Sequence, residues 1–163
     1  MTDPLREATI LAALAAAVAD VLESMFFVEA VPAASELPEA EADVVAVEIR
    51  FDGDPPGRFQ MRLAQMAAHS IATDFLGEET WSLTDCQRAD VAMELANMIC
   101  GAVLSRLESS ACFRLGAPRI VRSNEMPEQA EATRFTVETG NGTLTAAIQL
   151  ERRICLATAE YVS

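Results

Sequence analysis

Hydrophobic and polar positions alternate along Val44–Phe51, where Val45, Val47, Ile49 and Phe51 oppose Ala46, Glu48 and Arg50. A period of two is that of a half-buried β-strand. The run Asp52-Gly53-Asp54-Pro55-Pro56-Gly57 is dense in turn residues, and Phe59, Met61 and Leu63 then alternate again. These segments predict a first hairpin. Thr133–Glu138 and Leu144–Leu150 predict a second, around Thr139-Gly140-Asn141-Gly142-Thr143 with its Asn-Gly signal. Leu144, Ala146, Ile148 and Leu150 line one face of the last strand. Between the hairpins, Ala111–Arg122 holds strand-like pieces broken by Gly116 and Pro118.

Helical spacing fills the rest. Asp3-Pro4 is a helix start, with Asp as N-cap and Pro at the first helical position, and the alanine-rich stretch behind it should run to about Phe27. So much alanine lets neighbours approach closely, which predicts a sandwiched helix. Val31–Asp43 contains Pro32, Pro38 and several acids and reads as a solvated connection. Ala64–Leu76 is helical and stops at Gly77, a C-cap. Ser82 or Thr84 can cap a long helix running to about Glu108, with Asp85 in its first turn. Ile154–Val162 fits strand or helix equally. The order helix, hairpin, helix, long helix, broken strand, hairpin predicts an α+β fold. It is an antiparallel sheet of two hairpins plus a broken strand, packed against about three helices including a long central one.

The chain has 163 residues and is half hydrophobic, enough for one domain over 1–163 with a real core. Against 25 acidic residues stand 12 basic ones, a net charge of −13 that disfavours nucleic acid and anionic membrane as partners. Ala8–Val21 is nearly all apolar but falls short of the ~18–20 residues of a membrane span and has an acidic leader in Asp3 and Glu7. It reads as an amphipathic or buried helix of a cytoplasmic protein. Cys86, Cys100, Cys112 and Cys155 form no C-x-x-C pair and read as reduced thiols packed as small hydrophobes. No dinucleotide fingerprint, Walker motif or zinc-protease motif is present.

The long helix carries the strongest candidate chemistry. On a wheel at ~100° per residue, Asp90, Glu94, Asn97 and Gly101 fall on one ribbon ~80° wide, joined by Gln87 and Ser105. Nearly all else mid-helix is apolar, and only Arg88 and Arg106 near the ends break the rule. An ordinary surface helix has a broader polar face. A packed helix holds an acid and an amide rigidly, as a site requires. Gly101 removes the next side chain, so a partner surface could come close. The same ribbon could also be the plain solvent edge of a central helix.

These residues resemble the CheC/CheX/FliY family of chemotaxis phosphatases, its CheX members most. The family signature looks like D/S-x3-E-x2-N on one helix, and this chain has Asp90-x3-Glu94-x2-Asn97. Val21–Phe26, the Phe51-x-Gly53-x3-Gly57-x-Phe59 hairpin with Phe75-Leu76-Gly77 after it, and Leu115–Val121 resemble the family in the same order. The resemblance implies hydrolysis of the aspartyl phosphate on a phosphorylated CheY-like response regulator. Glu94 would dock on the receiver's active-site lysine, and Asn97 would orient the attacking water. Asp90 and Gly101 would be partner contacts. No cofactor of its own is implied; Mg2+ is expected in the partner receiver. The alternatives are a non-catalytic receiver-binding adaptor and a structural piece of a flagellar switch. Exposed hairpin edges would allow a homodimer by strand pairing.

Other features read more plainly. Aligning Ala19-Asp20-Val21 with Ala89-Asp90-Val91 gives a faint repeat, in which Asp20-x3-Ser24-x2-Phe27 would be a degenerate copy of the motif. His69, Ser70 and Asp74 share a helix, but His69 and Ser70 are adjacent and do not face each other. Met61, Met66, Met93 and Met98 read as core filler, Trp81 as a staple or anchor, and Glu36–Asp43 as a solvated acidic loop.

Overall fold

The computed structural model describes residues 4–33, 44–53, 55–77, 83–107, 113–122 and 132–151. Helix α1 (Pro4–Met25) leads, followed by the short strand β1 (Val31–Pro32). The first hairpin is β2 (Val44–Asp52) and β3 (Gly57–Ala64), in register from Val44↔Ala64 to Phe51↔Gly57. Helices α2 (Gln65–Leu76) and α3 (Asp85–Leu107) come next, then β4 (Arg114–Leu115) and β5 (Arg119–Val121). Strands β6 (Thr133–Glu138) and β7 (Thr143–Leu150) form the second hairpin. The result is α+β: three helices on a seven-stranded antiparallel sheet.

The sheet order is β1-β6-β7-β3-β2-β4, with β5 also paired to β2. Both pieces of the broken strand lie along β2, and the interruption falls at Gly116–Pro118, where the Gly116 N–H donates to the Arg50 carbonyl at 2.7 Å. The hairpin edges are therefore not exposed as predicted. Short strands flank them, β1 beside β6 and β4/β5 beside β2, so the edges of the described sheet are these short strands. Gly57 is needed where β3 meets β7, because a Cβ there would strike the Gln149 carbonyl and the Phe51 ring.

One face of the sheet meets the helices. Val47, Ile49, Phe51, Phe59, Met61, Leu63, Leu144, Ala146 and Ile148 interdigitate with Leu14, Val18 and Leu22 of α1, Ile71 of α2, and Leu95, Ile99 and Val103 of α3. The two strand periods and three helical stripes converge there, and apolar burial is the main force holding the layers.

Several expectations need correction. Helix α1 ends at Met25, short of Phe27; the Val28 N–H turns back to the Leu22 carbonyl at 2.8 Å, and Phe27 adopts φ 55 with its ring 87% exposed. The helix is not sandwiched either, since Ala8, Leu11, Ala12 and Ala16 face outward. By length and composition alone, Arg6–Met25 is apolar enough to cross a membrane, more than the Ala8–Val21 run suggested. Here its Leu14, Ala17, Val18 and Leu22 face packs into the core. Val31–Pro32 is an edge strand on β6 rather than part of a connection. Met66 is 74% exposed, and Met93 and Met98 are only half-buried; Met61 alone of the four is fully buried core. Cys100 is buried, but Cys86 is exposed. Asp3, the whole acidic loop Glu36–Asp43, Trp81, Ser82, Cys112, Cys155 and the 154–162 segment lie outside the described residues.

Candidate functional site

Helix α3 is fixed at its start by a reciprocal cap. The Gln87 N–H donates to Thr84 Oγ1 at 3.1 Å, and the Thr84 N–H donates to Gln87 Oε1 at 2.8 Å. This is a capping box with glutamine at its third position, and it makes Thr84 the cap. Arg88 then pairs with Asp85 and lies 3.3 Å from His69 Nδ1, tying the first turns of α3 to α2. At the far end Arg106 pairs with Asp20 and donates to the Ala102 carbonyl at 3.2 Å. Between these ties Val91, Ala92, Leu95, Ala96, Ile99, Cys100, Val103 and Leu104 are buried.

Asp90 and Glu94 lie exposed on the opposite side, with Asn97 half-buried one turn further along. Their spacing of four and three residues stacks them along one helix face, with Glu94 and Asn97 separated by ~4.5 Å of axial rise. Among the described residues none of the three makes a side-chain hydrogen bond or ion pair with another described side chain. A Cβ built on Gly101 meets nothing within 4 Å, so the ribbon continues as open space. The solvent-facing arc is broader than the sequence predicts, because Met93, Met98 and Ala102 beside it are half-buried.

The other candidate groups do not assemble a site. Ser70 accepts a hydrogen bond from Asn141 Nδ2 at 2.9 Å, while His69 turns to Arg88, so no histidine activates a hydroxyl. Burial pushes the Cys100 thiol up to about 12, leaving it protonated and unreactive. Among the described residues there is no group of three or more metal-ligating side chains. Asp20 and Ser24 are exposed on α1, with Phe27 in the asparagine position of the faint repeat. The copy thus has serine in place of Glu94, and phenylalanine, beyond the end of α1, in place of Asn97.

One cluster escaped the sequence reading. Glu48 falls on the polar side of the strand alternation, yet it is only 4% exposed, ringed by Arg119 at 2.8 Å, Gln60 at 3.2 Å, Arg50 at 3.4 Å and Arg58 at 4.0 Å. Burial pushes its pKa up, but hydrogen bonds from Arg119 and Gln60 and the charges of Arg58 and Arg119 outweigh it, holding the carboxyl below its ordinary range. The alternation at 44–51 was the available signal for its face. Besides Arg50 on its own strand, its partners come from β3 and β5, which only the sheet register brings together.

The fold has solved counterparts. A chemotaxis protein CheX from Vibrio vulnificus is 21% identical, with a TM-score of 0.71 over 89% of this chain and 98% of that one. A CheX–CheY–BeF3–Mg2+ complex from Borrelia burgdorferi gives 17% identity and a TM-score of 0.68, covering 88% and 98% of the two chains. FliY from Thermotoga maritima gives 14% and 0.62, covering 90% and 91%. At these identities the likeness is one of fold. No curated protein sequence matches. The family model described as chemotaxis phosphatase CheX matches residues 45–139, over half of the chain and inclusive of the α3 ribbon. The chain belongs to the CheX family of chemotaxis phosphatases.

Proposed function

We propose that this protein hydrolyses the aspartyl phosphate of a CheY-like response regulator, with Glu94 and Asn97 as its working side chains. One observation carries the reading. Asp90, Glu94, Asn97 and the bare backbone of Gly101 form the solvent-facing ribbon of a helix whose other side is locked in the core. The family match spans that helix, and a relative was crystallised with CheY, BeF3 and Mg2+.

The residue types suit the chemistry. Glu94 is an exposed carboxylate able to pair with a lysine on the receiver and fix the docking register. Asn97 presents a neutral amide whose oxygen accepts from a water and whose nitrogen donates. It can hold that water in line with the phosphorus without adding charge beside the phosphoryl group. The water oxygen then bonds to phosphorus as the bond to the aspartyl oxygen breaks, giving free carboxylate and inorganic phosphate. This protein supplies position; the receiver supplies its own metal and acids. Orientation of this kind is worth roughly 10²-fold, near 3 kcal/mol. Asp90 and Gly101 serve as contacts for the docked surface, and the reaction belongs in the cytoplasm with its regulator. Pairing of two copies, if by strand addition, would use β1 or the β4/β5 edge.

The test is single-turnover decay of phosphate on receivers from the same genome, with and without this protein. Asn97→Ala should abolish the roughly 10²-fold acceleration while leaving receiver binding intact, and Glu94→Ala should weaken binding itself. Binding without acceleration on every receiver would replace the phosphatase with an adaptor.

A further inference from the structure

The helices cover one face of the sheet; on the other, among the described residues, no helix packs. That second face is where the Glu48 cluster lies. Directly opposed residues of neighbouring strands share a face. The pairings Glu48↔Gln60, Arg50↔Arg58 and Glu48↔Arg119 therefore gather three arginines around one carboxylate. The chain has 12 arginines and no lysine, so three arginines at one buried acid is a concentration of the scarce charge.

We propose that this arginine cluster is a docking site for a short acidic segment of a partner protein, a function separate from phosphate hydrolysis. Glu48 cannot use up the donors around it. Each guanidinium carries five N–H groups, whereas a carboxylate offers about four lone-pair sites. Arg50 and Arg119 stay 67% and 61% exposed while touching Glu48, so among the described residues much of each side chain remains open to a further partner. Held by Glu48, the guanidiniums lose less freedom when a second carboxylate arrives. A planar fork of donors matches a carboxylate bidentately.

Charge and shape narrow the occupant. A net charge of −13 repels a long polyanion, while a short acidic segment meets only the local positive patch. Among the described strands this face carries no aromatic side chain; Phe51, Phe59 and Phe135 all lie on the helix side. Bases therefore have no aromatic platform here, which together with the net charge disfavours RNA. Asp52 and Arg114, opposite one another at the end of β2, contribute one charge of each sign and leave the excess unchanged.

The test uses the full chain and a fluorescein-labelled hexaglutamate peptide read by anisotropy, with hexaglutamine and poly-uridylate as comparison probes. Hexaglutamate should bind, weaken as salt rises from about 50 to about 200 mM, and exceed hexaglutamine clearly. The pair Arg50→Gln and Arg119→Gln should weaken it about tenfold. That pair strips Glu48 of two partners and could loosen the sheet, so Arg50→Gln alone, at the most exposed position, provides the second variant and should cost several-fold. Hexaglutamate that fails to bind, or binds both variants like the parent, overturns the proposal. So does poly-uridylate binding tighter than the peptide.

Discussion

Gly101 lies on the exposed side of α3 one turn beyond Asn97, and a Cβ added there meets no atom within 4 Å. Nothing in the fold itself requires glycine at this point. Glycine in a helix interior costs about 1 kcal/mol relative to alanine, through the freedom it has to lose. Gly101→Ala should therefore raise stability by about 1 kcal/mol in a denaturant melt. If the ribbon is the docking surface, a large side chain must obstruct it. Gly101→Phe should fold normally, keep its melting transition and lose most of its phosphatase acceleration. Full activity in the phenylalanine variant would place the receiver elsewhere. The two substitutions separate stability from contact at one backbone position, which Asn97→Ala cannot do.

Helix α3 must stay rigid for such contacts to matter, and its N-terminal cap is a separable part of that rigidity. Thr84→Ala removes one half of the capping box and should cost about 1 kcal/mol of global stability. Asn97 sits more than three turns inside the helix, so the same variant should keep its phosphatase rate wherever it remains folded. Calorimetry paired with the decay assay checks both halves; a rate that drops with the cap would mean that the site depends on the first turn. At this scale the sequence was informative where a period could repeat. Both hairpins, α2 with its Gly77 cap at φ 66, and α3 announced themselves by alternation or helical spacing. Two-residue β1 has no period to show, and its partner Glu138 lies far along the chain, so it passed for a connection. The polar ribbon of α3 was legible as a pattern, but its flanks were not. Met93 and Met98 look like core by type, and only the packing of neighbouring elements leaves them half-exposed. The fixed position of Arg88 likewise depends on His69 of a different helix.

Across the whole molecule, two layers divide the labour: helices and one sheet face make the apolar core, and on the other face, where no helix packs among the described residues, polar groups are satisfied between strands. Glu48 is the clearest demand on that face, a nearly buried carboxylate whose partners come from three strands. Glu48→Gln would leave Arg50, Arg58 and Arg119 facing one another without their counter-ion and should cost about 1–3 kcal/mol. The pH dependence has a definite sign. The folded-state pKa lies below the ordinary value of 4.5, so the ionised carboxylate stabilises the fold fully above that value. The contribution is lost as pH falls through the depressed folded value, where the carboxyl takes up its proton. Urea melts of both proteins from about pH 7 down to about pH 3 should show a gap that is constant at first and then narrows. The glutamine variant cannot titrate at this position, so it supplies the reference for the other carboxylates, which titrate in both proteins. A gap that stays constant to the lowest pH would mean that Glu48 contributes by shape and hydrogen bonding alone. The hydrogen bonds that Arg50, Gln60 and Arg119 donate to Glu48 would then tie β2, β3 and β5 together whatever the charge at their centre.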